Sequence, residues 1–244
     1  AIAMECLAVH DPRDLVSLNL EFSEYRSGVM GGVEGLKIGL PVDSWVWKEW
    51  INQDEEDAVR NAVGVLEELG AEIVELSLPL AYEARANSLA AEGPVWLRDN
   101  FSEDVLREWS ELHPQLERGE TQSFTEYLHG QQKRMAIRQE VIAALQRVDA
   151  IVMPTGNTIG DKWDAITANI RGRDVPARSR AVYLNGMASQ AGLPAISIPC
   201  GLAKEERFPV GLQLVGRDLE EALVLRVAYA YEQATPWHQQ HPPV

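Results

Sequence analysis

Leu36-Lys37-Ile38-Gly39-Leu40-Pro41-Val42, the run from Asp54 to Leu69 (DEEDAVRNAVGVLEEL) and Glu72-Ile73-Val74-Glu75-Leu76-Ser77-Leu78 decide the fold between them. The first is a short apolar run and reads as a strand. The second carries acidic residues in its first turn and turns Val59, Ala62, Val63, Leu66 and Leu69 to one side at helical spacing. Gly70 supplies a left-handed stop. The third alternates strictly, with Ile73, Glu75 and Ser77 on one face against Val74, Leu76 and Leu78 on the other. Strand, helix and strand in that order predict a βαβ-like unit over residues 36–79 and a mixed or parallel sheet.

Outward from this unit the pattern continues. Residues 1–14 read as the end of an interrupted helix, with Ile2, Cys6 and Val9 on one face and a stop at Asp11-Pro12-Arg13-Asp14, where the proline biases Asp11 away from the α region. Leu15 to Gly35 has no sustained period and reads as a surface excursion. Residues 80–147 are expected to be mainly helical. Ser123-Phe124-Thr125-Glu126 has capping-box spacing and predicts a helix to about Arg147, with Tyr127, Leu128, Met135, Val141, Ile142 and Leu145 as its buried stripe.

Residues 148–244 hold the remaining core strands and the C-terminal helix. Ala150 to Met153 is a strand ending at Pro154, followed by a long loop to about Arg180. A helix from about Ala181 to Gln190 turns at Gly192 and Pro194 into a strand, Ala195 to Pro199; Gly211 to Val215 is another, and Leu219 to Gln233 is a helix with Leu223, Val227, Ala230 and Tyr231 inward. The fold class expected is α/β, a mixed β-sheet flanked by helices, with strands near Leu36, Glu72, Ala150, Ala195 and Gly211.

Composition narrows the functions. With 45% hydrophobic residues in 244, the chain can bury a substantial core. Its net charge of −15, from 22 basic against 37 acidic residues, repels phosphate backbones and argues against direct nucleic-acid binding. Ala181 to Ala203 is uncharged, but Asn185, Gln190, Pro194 and Pro199 interrupt it, which suits a buried corner better than a membrane span. Cys6 and Cys200 form neither a C-x-x-C pair nor a disulfide framework, so a cytoplasmic location is the default.

Local catalytic signatures are missing. There is no G-x-S-x-G elbow, H-E-x-x-H pair, Gly-rich phosphate loop or EF-hand, and no cofactor is expected. His10, His113, His129, His238 and His241 are scattered, where metal ligands would cluster. The acidic run from Asp54 to Asp57 reads as a complement to the helix dipole. Trp45, Trp47 and Trp50 read as a loop packed down by its own aromatics.

Five strings in order carry a resemblance: His10 to Asp14 (HDPRD), Gly35 to Pro41 (GLKIGLP), Val148 to Thr155 (VDAIVMPT), Ala191 to Pro199 (AGLPAISIP) and Pro209 to Gly216 (PVGLQLVG). With Arg226 to Gln233 (RVAYAYEQ) and Trp237 they cover almost the whole chain. They resemble the half of the amidase signature family that follows its signature region.

The resemblance implies an amidohydrolase that cleaves a carboxamide C–N bond to acid and ammonia or amine. The family uses a catalytic serine, a bridging serine in a cis peptide and a lysine, with an oxyanion hole from a Gly- and Ser-rich loop. Those residues would lie upstream of Ala1, so no catalytic residue is expected in this chain and the chain alone is expected to be inactive. Amide hydrolysis needs an activated hydroxyl, a base kept neutral by burial and donors aimed at the oxyanion. Lys37, Lys48, Lys133, Lys162 and Lys204 have no such loop beside them, and Lys37 reads as solvent-facing.

This half is expected to supply the far wall of the acyl pocket, with Thr155, Tyr183 and Asn185 as substrate-binding residues. Tyr183 and Asn185 read equally as satisfied core polar groups, and Ser197 reads as a packed hydroxyl. The partner expected is a small-molecule amide, mostly uncharged because the Ala181 to Ala203 segment is; neither nucleic acid nor membrane is expected, and a homodimer is open. Two other readings stand beside this one. One is the glutaminase subunit of a tRNA-dependent amidotransferase, in which an acidic residue at the place of Val182 would recognise the amide donor; no Asp or Glu lies between Val175 and Ile198. The other is a non-catalytic α/β binding module.

Overall fold

The structure, a computed structural model, describes residues 1–14, 17–20, 25–47, 51–85, 92–109, 113–157, 165–176, 182–204 and 208–241. Its centre is a five-stranded mixed sheet. β1 (Lys37–Pro41) lies between β2 (Glu72–Leu76) and β3 (Ala150–Pro154), parallel to both. The other flank of β3 pairs antiparallel with β7 (Pro209–Val215), which pairs antiparallel with β6 (Ala195–Leu202). The order is β2-β1-β3-β7-β6, so the sequence expectation of a mixed α/β sheet is met.

β3 explains its place by composition: AIVMP has no polar side chain, and all five residues are buried, as a strand covered on both faces requires. α4 (Gln53–Glu68) packs against β3, β6 and β7 through Ala58, Val59, Ala62, Val63 and Leu66. α10 (Glu221–Ala234) adds Val224, Val227, Ala228 and Tyr231. Three short helices, α5 (Glu92–Asn100), α6 (Glu103–Glu108) and α7 (His113–Thr121), precede the long α8 (Phe124–Leu145). α8 and α9 (Val182–Ala191) are joined by two arginines of α8, Arg134 and Arg138, whose guanidinium groups donate to the last carbonyls of α9, Gln190 and Ala191. Cations at a helix C-terminus satisfy its free carbonyls and its dipole together. Gly70 takes φ +95° after α4, as its left-handed role requires.

Several expectations are corrected. The loop between Thr155 and Arg180 contains a hairpin, β4 (Thr167–Ile170) with β5 (Arg173–Pro176), turned by Arg171 and Gly172 at φ 49° and 82°. Arg-Gly is a weak signal for this turn, which Asn-Gly or Asp-Gly would have announced. Leu128 and Met135 of α8 are 44% and 55% exposed, and Gly130, Ile137 and Ala144 take their places in the buried stripe. Leu69 is exposed because α4 ends one residue before it. The first helix, α1 (Ile2–Leu7), buries none of its residues, and Val9 lies beyond its end. The excursion before β1 contains the helical turn α2 (Tyr25–Gly28) and a 3-10 turn at Val29–Gly31, with Tyr25 buried.

Trp47, at the end of the helical turn α3 (Ser44–Trp47), behaves as read: its indole N–H donates to the Pro41 carbonyl at 2.6 Å, and the Arg60 guanidinium lies 4.4 Å above its ring. Trp50 and the side chain of Trp45 lie outside the described residues.

Candidate functional site

β3 ends at Pro154, and Thr155 continues its line: the Thr155 N–H donates to the Gly211 carbonyl of β7 at 2.9 Å. The Thr155 hydroxyl meets the Ser197 hydroxyl of β6 at 2.6 Å, across β7. The two can meet because glycine stands between them. A Cβ at Gly211 would lie 2.8 Å from both oxygens, well inside van der Waals contact.

Register places a third group with them. Gln213 is opposite Met153 on one side and Ser197 on the other, and directly opposed residues share a face. Residues two apart on a strand share it as well, so Met153, Thr155, Gly211, Gln213 and Ser197 form one surface. Gln213 is 4% exposed, and its Nε2 has no hydrogen-bond partner. Asn157, two residues past Thr155, is buried with both amide atoms unpartnered. Buried donors and acceptors left open cost about 1–3 kcal/mol each, a cost that a polar ligand or a neighbouring chain segment would remove.

Of the three residues expected to bind substrate, Thr155 stands in this polar row. Asn185 is half-buried on α9, and among the described residues it makes no hydrogen bond to Thr155 or Ser197. α9 packs chiefly on α8 and the 3-10 turn Ala81–Arg85. Tyr183 belongs to the same helix, but its side chain lies outside the described residues. Ser197 is exposed, not packed away. Reading strands singly missed Gln213 and Asn157; the glutamine in an otherwise apolar strand, PVGLQLV, was the available signal.

A second cluster lies where α4, β6 and α10 meet. Glu55 closes a capping box with Asn52, its carboxylate accepting the Asn52 N–H at 3.3 Å. It is buried, and burial pushes its carboxyl up to about 7 against the opposing pull of that N–H. Burial and the nearby Glu55 push the Cys200 thiol up to about 12, so this cysteine stays protonated and is no nucleophile at neutral pH. Burial does the same to Tyr231, also to about 12. The other acids of the run are partnered at the surface: Asp54 and Asp57 by Lys204, and Glu56 by Arg60 and Arg171. Among the described residues no three His, Cys, Asp or Glu side chains gather as a metal site would need. No described helix is long and apolar enough to cross a membrane.

The fold is shared with solved amide-processing enzymes. A bacterial aryl acylamidase of the amidase signature enzymes superposes with a TM-score of 0.77 at 22% identity, over 94% of this chain and 49% of that one. The A-type subunit of the glutamyl-tRNA(Gln) amidotransferase of Thermotoga maritima superposes at 0.66 with 25% identity, over 93% of this chain and 48% of that one. The fold is thus that of the amidase signature class.

The chain belongs to the amidase family, whose model matches residues 1–225. Among curated relatives it is 33% identical to the A-type subunit of a glutamyl-tRNA(Gln) amidotransferase from Cyanothece sp., over 99% of this chain and 54% of the relative. It is 30% identical to an amidase of Pseudomonas putida, over 99% of this chain and 52% of the relative. The chain spans about half the length of the curated relatives it matches.

Proposed function

We propose that this chain is the pocket-wall half of an amidohydrolase that splits a small, mostly uncharged carboxamide into acid and ammonia or amine. The nucleophilic serine, bridging serine and lysine would belong to the half of the family's length that this sequence does not span. The observation that carries the reading is the row of Thr155, Ser197 and Gln213, with an open buried amide, on a sheet whose relatives are about twice as long. Thr155 would hold the substrate's polar end, and Tyr183 and Asn185 of α9 would border the pocket beside the uncharged Ala181 to Ala203 segment. The cytoplasm suits a chain whose two cysteines stay free.

The lysines support the division of labour. A Ser–Lys mechanism needs a lysine stripped of water so that it is neutral near pH 7. Lys37 is exposed, Lys133 is ion-paired with Glu83, and Lys204 is ion-paired with Asp57 on the surface; Lys48 and Lys162 lie outside the described residues. A second reading, the glutaminase subunit of an amidotransferase, draws on the names of several relatives, while the lack of an acid between Val175 and Ile198 speaks for a plain amidase.

The test is to purify residues 1–244, measure ammonia release from simple amides, and treat the sample with a serine-reactive fluorophosphonate. No turnover above buffer is expected, and co-expression with the complementary half of a relative is expected to restore activity that Thr155→Val then lowers. Turnover by this chain alone, with labelling of Ser189 or Ser197, would overturn the reading. Strong preference of the restored enzyme for glutamine with a tRNA acceptor would move it to the amidotransferase.

A further inference from the structure

We propose that the groove between α5 and the start of α8 binds a hydrophobic organic cation, an ammonium group bearing alkyl or aryl substituents. This groove, about 620 Å³, is lined by Val95, Trp96, Phe124 and Tyr127, with the carboxylates of Glu92 and Asp99 among them. Trp96 is 57% exposed and Phe124 75%, a large aromatic surface to leave in water.

The aromatic walls are fixed from behind. Phe101 meets Trp96 edge-on at 5.8 Å and 69°, and Trp109 backs Phe101 at 5.2 Å. The Asn100 amide donates to the Trp96 carbonyl at 2.8 Å. The Tyr127 hydroxyl donates to Glu92 Oε1 at 3.0 Å, and Gln131 Nε2 donates both to that oxygen and to the Tyr127 oxygen. The Ser123 cap anchors the turn that carries Phe124. Pro94 of α5, Leu106 of α6 and Leu116 of α7 are buried, and α5 packs against both of the other helices.

Charge selects the ligand. Ring faces attract cations through their quadrupoles, and the attraction grows when the cation sheds water easily. Quaternary and alkylated ammonium groups shed it readily; a bare ammonium does not. Arg98, the arginine of α5, is committed to Glu103 and Glu120, whereas among the described residues Asp99 has no ion pair. An anion would meet Glu92 and Asp99 in a chain of net charge −15, and a neutral apolar ligand would leave Asp99 without a counter-charge.

Calorimetric titration of residues 1–244 with benzyltrimethylammonium and with choline, each followed by ligand-detected NMR, tests the site, with 3,3-dimethylbutan-1-ol as the uncharged isostere of choline. Saturable binding of both cations is expected, about two- to fivefold tighter than the isostere and weakened about two- to fivefold in Trp96→Ala and in Asp99→Asn. Both side chains face water, and circular dichroism of each variant should overlay the parent; Phe124→Ala provides an independent variant on the opposite wall. Equal binding of choline and its isostere would overturn the proposal. So would unchanged cation binding in Trp96→Ala or Phe124→Ala, or binding of a Lys-rich amphipathic peptide without saturable binding of either small cation.

Discussion

Glu55→Gln should change how stability depends on pH while leaving the helix cap in place. The folded carboxyl is raised to about 7 from the ordinary 4.5, with burial as the larger cause. Because the folded state holds the proton more tightly than the unfolded chain, the contribution favours folding fully below pH 4.5 and is lost as pH rises through about 7. Linkage between those two values makes the loss about 2.5 kcal/mol between pH 5 and pH 8. Glutamine keeps an oxygen that can accept the Asn52 N–H, so the capping box survives and only the titration is removed. Urea unfolding of both proteins at pH 5, 6, 7 and 8 gives the difference directly, since every other titrating group is common to the pair. The parent should lose about 2.5 kcal/mol more than the variant over this range. Parallel pH profiles would refute the argument and would mean that groups common to both proteins carry the proton.

Two further outcomes follow from the geometry. Gly211→Ala drives a Cβ to within 2.8 Å of the Thr155 and Ser197 oxygens and should cost about 1–3 kcal/mol by overpacking, read as a lowered urea midpoint. Ser123→Ala removes the side-chain acceptor for the Glu126 N–H and should cost about 1 kcal/mol, seen as a thermal midpoint lowered by a few degrees.

Much of the fold was legible because its signals are local. An uninterrupted apolar run marks β3, an alternation marks β2, and the Ser123–Glu126 spacing marks the start of α8; each is set by residues within a few positions of one another. Most of what failed depended on residues far away in sequence, the turn of the β4–β5 hairpin excepted. Leu128 and Met135 have the spacing of a buried stripe, but whether a neighbour covers them is decided by where the opposing element packs. The β4–β5 hairpin was invisible because Arg171 adopts a left-handed conformation that asparagine or glycine usually signals. Glu55 reads like its neighbours Asp54, Glu56 and Asp57, and only the meeting of α4, β6 and α10 separates it from them.

The polar row shows the same division. Thr155 could be picked from sequence because it leaves a buried strand, yet its partners are chosen by pairing alone: Ser197 lies 42 residues away and reaches it only because β7, a glycine strand at that point, intervenes. β3 is where the sheet changes character, parallel toward β1 and antiparallel toward β7. A parallel neighbour brings a crossover and therefore cover for the strand, whereas the antiparallel flank ends at β6, with Ser197 exposed and Gln213 buried behind it. The row thus lies where a fully covered strand passes into an open flank, which is why the same face holds both buried core side chains and the polar atoms that still lack partners.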